Sequence, residues 1–187
     1  MGRLAVKGMG DDVLRGSRVR IRKPVLGDGD EVIEMNRRSK NLLHPWVYPP
    51  MDRSSWADYI RGLEGDRKEG FLVCLKETGA IAGVINISEI VRGFFQSAYL
   101  GYYSSDKYCG EGYVTEGLGL VVKGAFTTLK LHRLEANIQP NNHRSIALVR
   151  RLGFRKEGFS PRYLKIGGRW RDHERWAITV EEWRFTR

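Results

Sequence analysis

Apolar and basic residues alternate through RVRIRKP (18–24), the period of two expected of a half-buried strand. The Gly27-Asp28-Gly29-Asp30 cluster then opens a helix to about Arg38, and HPWVYPP (44–50) breaks the pattern with prolines. Asp52 or Ser54 caps a further helix to about Lys68, which places Trp56, Tyr59, Ile60 and Leu63 on one face. GFLVCLK (70–76) and IAGVINISEI (81–90) flank a turn at Glu77-Thr78-Gly79-Ala80 and read as a hairpin. After a second turn at Arg92-Gly93, FFQSAYLGYY (94–103) continues the antiparallel meander. A glycine-rich loop leads into a helix from about Tyr113 to Leu129, HRLEANIQP (132–140) is a strand, and NNHRSIALVRRLG (141–153) is a helix closed by Gly153. FRKEGFSPRYLKI and RWRDHERWAITV form a last hairpin turning at Gly167-Gly168. No internal repeat is visible.

At 187 residues, with 41% apolar residues and five tryptophans, the chain can build one domain with a full core and is not a disordered polymer. Its net charge of +10 points to an anionic partner: nucleic acid, an acidic peptide or a phosphorylated cofactor. Cys74 and Cys109 form neither a disulfide framework nor a ligand spacing, so the chain reads as cytoplasmic and reduced. His132 and His143 lack partners at ligand spacing, and no metal is expected. No apolar run approaches the length of a membrane span, so no membrane association is expected. MGRLAVKGMGDDVLRGS lacks the continuous apolar stretch of a signal peptide and is read as a mobile extension (1–17) ahead of the domain (18–187).

The loop KYCGEGYVTEGL (107–118) places two glycines one residue apart in front of a helix. Bare amides at a helix start can seat a phosphate, and glycine lets a ligand approach the backbone; the same residues also serve an ordinary turn. A dinucleotide-binding fingerprint would follow the first strand of a parallel array and carry a third glycine, and a Walker loop needs Gly-Lys-Ser/Thr. Neither is present.

Five segments carry a resemblance: HPWVYPP, NISEIVRGFFQSAYLGYY, GEGYVTEGL, LHRLEANIQPNNHRSIALVRRLGF and YLKIGGRWRDHERWAI. On these, residues 18–183 resemble the GNAT superfamily of acetyl-CoA-dependent N-acetyltransferases, in its RimJ-type branch of ribosomal-protein alanine N-acetyltransferases. The resemblance implies an α/β fold of the α+β kind, a single domain. Its mixed, mostly antiparallel seven-stranded sheet would be splayed at its centre, with helices on both faces and acetyl-CoA in the V as co-substrate. The family's pyrophosphate loop usually reads Gln or Arg, two residues, Gly, one residue, then Gly or Ala; here those positions are Cys109, Gly112 and Val114, and Glu111 stands where the branch often has Lys.

The resemblance implies that acetyl-CoA meets the backbone near Leu100 and Tyr102, the loop Cys109, Gly110, Glu111, Gly112, Tyr113 and Val114, the side chains of Asn142 and Ser145, and Arg150. Ser145 corresponds to the hydroxyl that donates to the departing sulfur. Asn142 and Ser145 could each also cap the helix, and Glu116 in the first turn of its helix has a purely structural reading. For the general base, Glu89, Asp172 and a water chain are the alternatives. A nucleophilic Cys109 would need an oriented histidine, and the family transfers acetyl directly. Trp46, a large aromatic in a proline-bounded loop, with Tyr163 and Trp170 on the closing hairpin, would line the acceptor side. The expected acceptor is a protein or peptide N-terminus, Ala or Ser, on a ribosomal or other basic target, with weak RNA attraction through the positive charge and a monomeric or homodimeric state. A small-amine acetyltransferase and a non-catalytic ribosome-associated module are the other readings.

Overall fold

The computed structural model describes residues 14–183. Its strands are β1 (Leu14–Arg15), β2 (Val19–Arg22), β3 (Glu69–Leu75), β4 (Ile81–Val91), β5 (Ser97–Ser104), β6 (Arg133–Ile138), β7 (Arg155–Ile166) and β8 (Arg169–Thr179). The helices are α1 (Gly29–Arg38), α2 (Lys40–Leu43), α3 (Arg53–Arg61), α4 (Tyr113–Thr127) and α5 (His143–Arg151). One sheet takes the order β1-β2-β3-β4-β5-β6-β8-β7. Every neighbouring pair in it is antiparallel except β5 and β6.

The sheet thus has eight strands where seven were expected, because Leu14 and Arg15 pair with Ile21 and Arg20 at its edge. That pairing lies inside the stretch assigned to the N-terminal extension, whose residues 1–13 fall outside the described residues. The α3 helix is also shorter than its apolar spacing suggested: Asp52 caps it by accepting from Ser55 N–H at 2.8 Å, and it stops at Arg61 rather than Lys68. Gly62 forms its C-cap, and Gly65 adopts φ 117°, which the helix cannot continue through. Phe94 and Phe95, read as the start of a strand, form an exposed turn, and β5 begins at Ser97.

Alternation sends the two sides of the sheet into two cores. The larger joins Ile21, Val73, Ile85 and Leu134 to α4 and α5 through Leu118, Val122 and Val149. The smaller joins Leu72, Cys74 and Val84 to α1 and α3 through Val32, Met35 and Trp56. Helices therefore cover both faces. Gly117 sets how closely α4 approaches, since a Cβ there would lie 2.9 Å from Val73 and 3.0 Å from Ile21.

The β5–β6 junction is where the sheet opens. Parallel pairing is confined to Ser97↔Arg133, Ala98↔Leu134 and Tyr99↔Glu135. Beyond it β5 stays paired with β4 to Ser104, and β6 stays paired with β8 to Ile138. The two central strands diverge, and the β6-facing backbone edge of residues 100–104 is left without a sheet partner, as a splayed centre requires.

Candidate active site

The start of helix α5 meets β5 at the splay and brings two of the expected residues to it. Asn142 is its N-cap, and its Oδ1 accepts from Ser145 N–H at 3.2 Å. The cap uses the carboxamide oxygen and leaves the NH₂ to donate elsewhere. The Ser145 hydroxyl lies 2.6 Å from Tyr102 OH, and the same phenol is 3.3 Å from the Ser145 carbonyl oxygen. Burial pushes the Tyr102 phenol up to about 12 although its hydrogen bond with Ser145 acts the other way. Leu100, two residues earlier, faces the larger core, so only its backbone is available to a ligand in the splay.

The glycine loop lies where β5 ends and α4 begins. Gly110 and Gly112 hold φ of 95° and 80°, and Gly112 is the left-handed N-cap of α4 with no side-chain cap. The first helical bond runs from Glu116 N–H to Gly112 O. The N–H groups of Tyr113, Val114 and Thr115 therefore precede the ladder and point off the helix end, the arrangement that favours an anion. Around this terminus Arg144 Nη1 approaches the Cys109 sulfur at 3.7 Å, and Glu111 is exposed.

Arg18, which no motif in the sequence marks, reaches this loop from β2's leading end. Its Nη1 donates to Glu111 O at 3.1 Å and its Nε to Glu116 Oε2 at 3.1 Å, while its guanidinium lies 4.8 Å over the Tyr113 ring. Burial pushes the Glu116 carboxyl up. Hydrogen bonds from Arg18 N–H, the Arg18 guanidinium and Val19 N–H outweigh it and hold the group below its ordinary 4.5. From Gly112 a groove of about 690 Å³ runs down α4 to Lys123, bounded by Arg18, Arg151 and Trp183. Arg150 instead lays its guanidinium 5.1 Å over Trp176, and its neighbour Arg151 takes the groove position.

On the opposite face, the Trp46 loop reaches the closing hairpin. Trp46 is half-buried after the cis His44–Pro45 bond, and a Cβ on Gly167 would fall 2.3 Å from Tyr48 OH. The Tyr163 side chain lies beside Tyr99. The interaction with the Tyr163 side chain first, then burial and the charges of Tyr163, Glu135 and Glu89, push the Tyr99 phenol up to about 12. The Tyr163 ring stands 6.3 Å from His173, a buried imidazole that desolvation holds below its ordinary 6.5 against a bond to the Arg171 carbonyl. Trp170 is exposed at the hairpin tip and is not drawn into this cluster by any ring contact among the described residues.

Both carboxylates considered as bases are engaged. Glu89 sits at a bulge with φ 50° and pairs with Arg67 at 2.7 Å. Asp172 Oδ1 accepts from Arg162 N–H at 2.7 Å across the β7–β8 bulge. The carboxylate at the head of the splay is Glu135, opposite Tyr99 and held by Arg133 Nε at 2.9 Å. Sequence reading missed Tyr99, Glu135 and His173. The alternation of HRLEANI, which places Arg133, Glu135 and Asn137 on one strand face, was the signal available for the second.

Comparison with known proteins places this geometry among relatives. Residues 18–155 match the family described as acetyltransferase (GNAT) domain. The [ribosomal protein uS5]-alanine N-acetyltransferase of Escherichia coli (strain K12) is 36% identical over 154 residues, 78% of this chain and 79% of that protein. The probable N-acetyltransferase YjcK of Bacillus subtilis (strain 168) is 30% identical over 174 residues, 89% of this chain and 96% of that protein. Among solved structures, Mycobacterium smegmatis RimJ in complex with CoA-disulfide superposes with a TM-score of 0.85 at 30% identity, covering 93% of this chain and 90% of that one.

Proposed function

The chain belongs to the GNAT acetyltransferase family and is an acetyl-CoA-dependent N-acetyltransferase; on that premise we propose that its acceptor is the N-terminal α-amine of a protein beginning with Ala or Ser, a ribosomal protein above all. The observation that carries this reading is the acceptor face. On it Tyr48, two residues after Trp46, lies against the Gly167 turn, and Tyr99 of β5 lies beside Tyr163 of β7. A face built from a loop and a hairpin in this way suits a peptide end whose amine enters while its chain trails outward. Similarity to a uS5-alanine N-acetyltransferase supports the same choice.

Of the amides of residues 109–114, those of Cys109 and Glu111 are taken by the Asp106 and Tyr108 carbonyls; those of Gly110, Gly112, Tyr113 and Val114 hold the diphosphate of acetyl-CoA, and the Asn142 NH₂ meets the pantetheine arm. Backbone N–H groups on the free edge between Leu100 and Tyr102 donate to the acetyl carbonyl oxygen as charge develops there. Ser145 donates to the sulfur as it leaves. Attack is direct: neither Cys74 nor Cys109 hydrogen-bonds a histidine among the described residues. An α-amine with a pKa of about 7.7–8.0 needs only a weak base or a water relay, whereas a lysine side chain near 10.4 is rarely neutral at pH 7. The reaction takes place in the cytoplasm.

The test compares kcat/KM for Ala- and Ser-initiated peptides, for the same peptides blocked at the N-terminus but containing Lys, and for polyamines and other small amines. Free peptides are expected to lead by about tenfold or more. A lead of that size for blocked peptides or a polyamine would replace this reading with a lysine or small-amine activity.

A further inference from the structure

We propose that Tyr102 is a positioning residue for acetyl transfer, its hydroxyl donating to Ser145 Oγ so that the serine's own hydrogen is free to face the departing sulfur. The inference rests on the reading of Ser145 as the sulfur's donor and goes beyond it by naming what orients that donor.

Three features carry it. Tyr102 lies on the stretch of β5 that has lost its β6 partner, so its ring stands at the splay, packed against the larger core. Its phenol has one hydrogen, and among the described residues both acceptors within hydrogen-bond reach belong to Ser145: Oγ at 2.6 Å and the carbonyl oxygen at 3.3 Å. The carbonyl can only accept, while between the two hydroxyls either oxygen can donate. Donation to Oγ leaves the serine one hydrogen for an outside acceptor. Ser145 is further fixed from behind, because its N–H is held by Asn142 Oδ1 at 3.2 Å.

In the step served, the amine nitrogen bonds to the acetyl carbon, the C–S bond breaks, and its electron pair stays on sulfur. The proton lost by nitrogen goes to base or water. Ser145 donates a hydrogen bond to that sulfur, and Tyr102, donating behind it, makes the serine a better donor; a chain ending on a charged acceptor gains most from such polarisation. Tyr102 need not ionise. Burial pushes its phenol up to about 12, so it keeps its proton around neutral pH.

A tyrosine that merely braced β5 against α5 would show the same distances, so the experiment uses a readout that a brace does not move. In wild type, Tyr102→Phe, Ser145→Ala and the double variant, the thiol pKa of bound CoA is followed by thiolate ultraviolet absorbance. Single-turnover acetyl transfer, CoA affinity by calorimetry and Tm are measured beside it. The expected result is a bound thiol about one pKa unit higher in Tyr102→Phe and a transfer rate about tenfold lower, with CoA affinity within about twofold. Ser145→Ala should lose at least as much, and the double variant no more than Ser145→Ala. If Tyr102→Phe changes only Tm or affinity while Ser145→Ala moves thiol pKa and rate, the tyrosine is a brace and the serine reading stands. If Ser145→Ala moves neither, the serine reading falls and this proposal with it. Multiplying losses in the double variant would show Tyr102 acting on the sulfur independently and would overturn its positioning role.

Discussion

Arg18 and Glu116 lie 98 positions apart, yet Glu116 accepts from both the backbone and the guanidinium of Arg18 and so closes the foot of the glycine loop. The sign of its contribution to stability follows from its depressed folded pKa. The stabilisation is present above the unfolded value, ordinarily 4.5, and is lost as pH falls through the lower folded value. Between about pH 5 and pH 3 the Tm of the wild type is therefore expected to fall more steeply than that of Glu116→Gln. Parallel Tm–pH curves would show that the pair contributes nothing to folding. At this scale the candidate site was half legible. Asn142 and Ser145 stand three apart at a helix start and were readable as a pair, because both their cap and their possible function depend on local spacing. Arg18 was not readable, because its partners come from another part of the chain.

The loop and α4 act as one element. Gly112 caps the helix in a left-handed conformation, φ 80°, and a Cβ there would sit 3.4 Å from the Arg18 guanidinium. A β-branched residue pays steeply for that φ. Gly112→Val is therefore expected to reorient the first amides of α4 and to weaken CoA binding about tenfold or more, with the fold retained. Calorimetry against CoA and far-ultraviolet circular dichroism check the two halves of that statement; unchanged affinity would remove the loop from the binding site. The helix and its glycines could be expected from GEGY before an apolar stripe. The early end of α3 and the exposed Phe94–Phe95 turn ran against apolar spacing: Gly62 and the positive φ of Gly65 end the helix, and β5 begins only where Ser97 pairs with Val91.

For the molecule as a whole, the net charge of +10 gives a long-range field that acts before any specific contact forms. Sedimentation with ribosomes is expected at about 50 mM salt and to be largely lost by about 200 mM, the behaviour of counterion release. Absence from the ribosome pellet at the lower salt would leave the charge without that role. Among the described residues no helix is long and apolar enough to cross a membrane, and no group of three or more metal-ligating side chains is present.

The sequence by itself determined the order of strands and helices, the two-faced core and the glycine-capped helix, because alternation, helical spacing and the demand for positive φ act between near neighbours. Membership in the family was likewise legible, since five separate words occur in order. Only the tertiary structure decided that β5 and β6 part after Tyr99, that Tyr102 then meets Ser145, that Arg18 closes the loop, and that Tyr99, Tyr163 and Glu135 come together. Each of these joins segments tens of residues apart, and their meeting depends on sheet register and strand divergence, which no local pattern in the chain encodes.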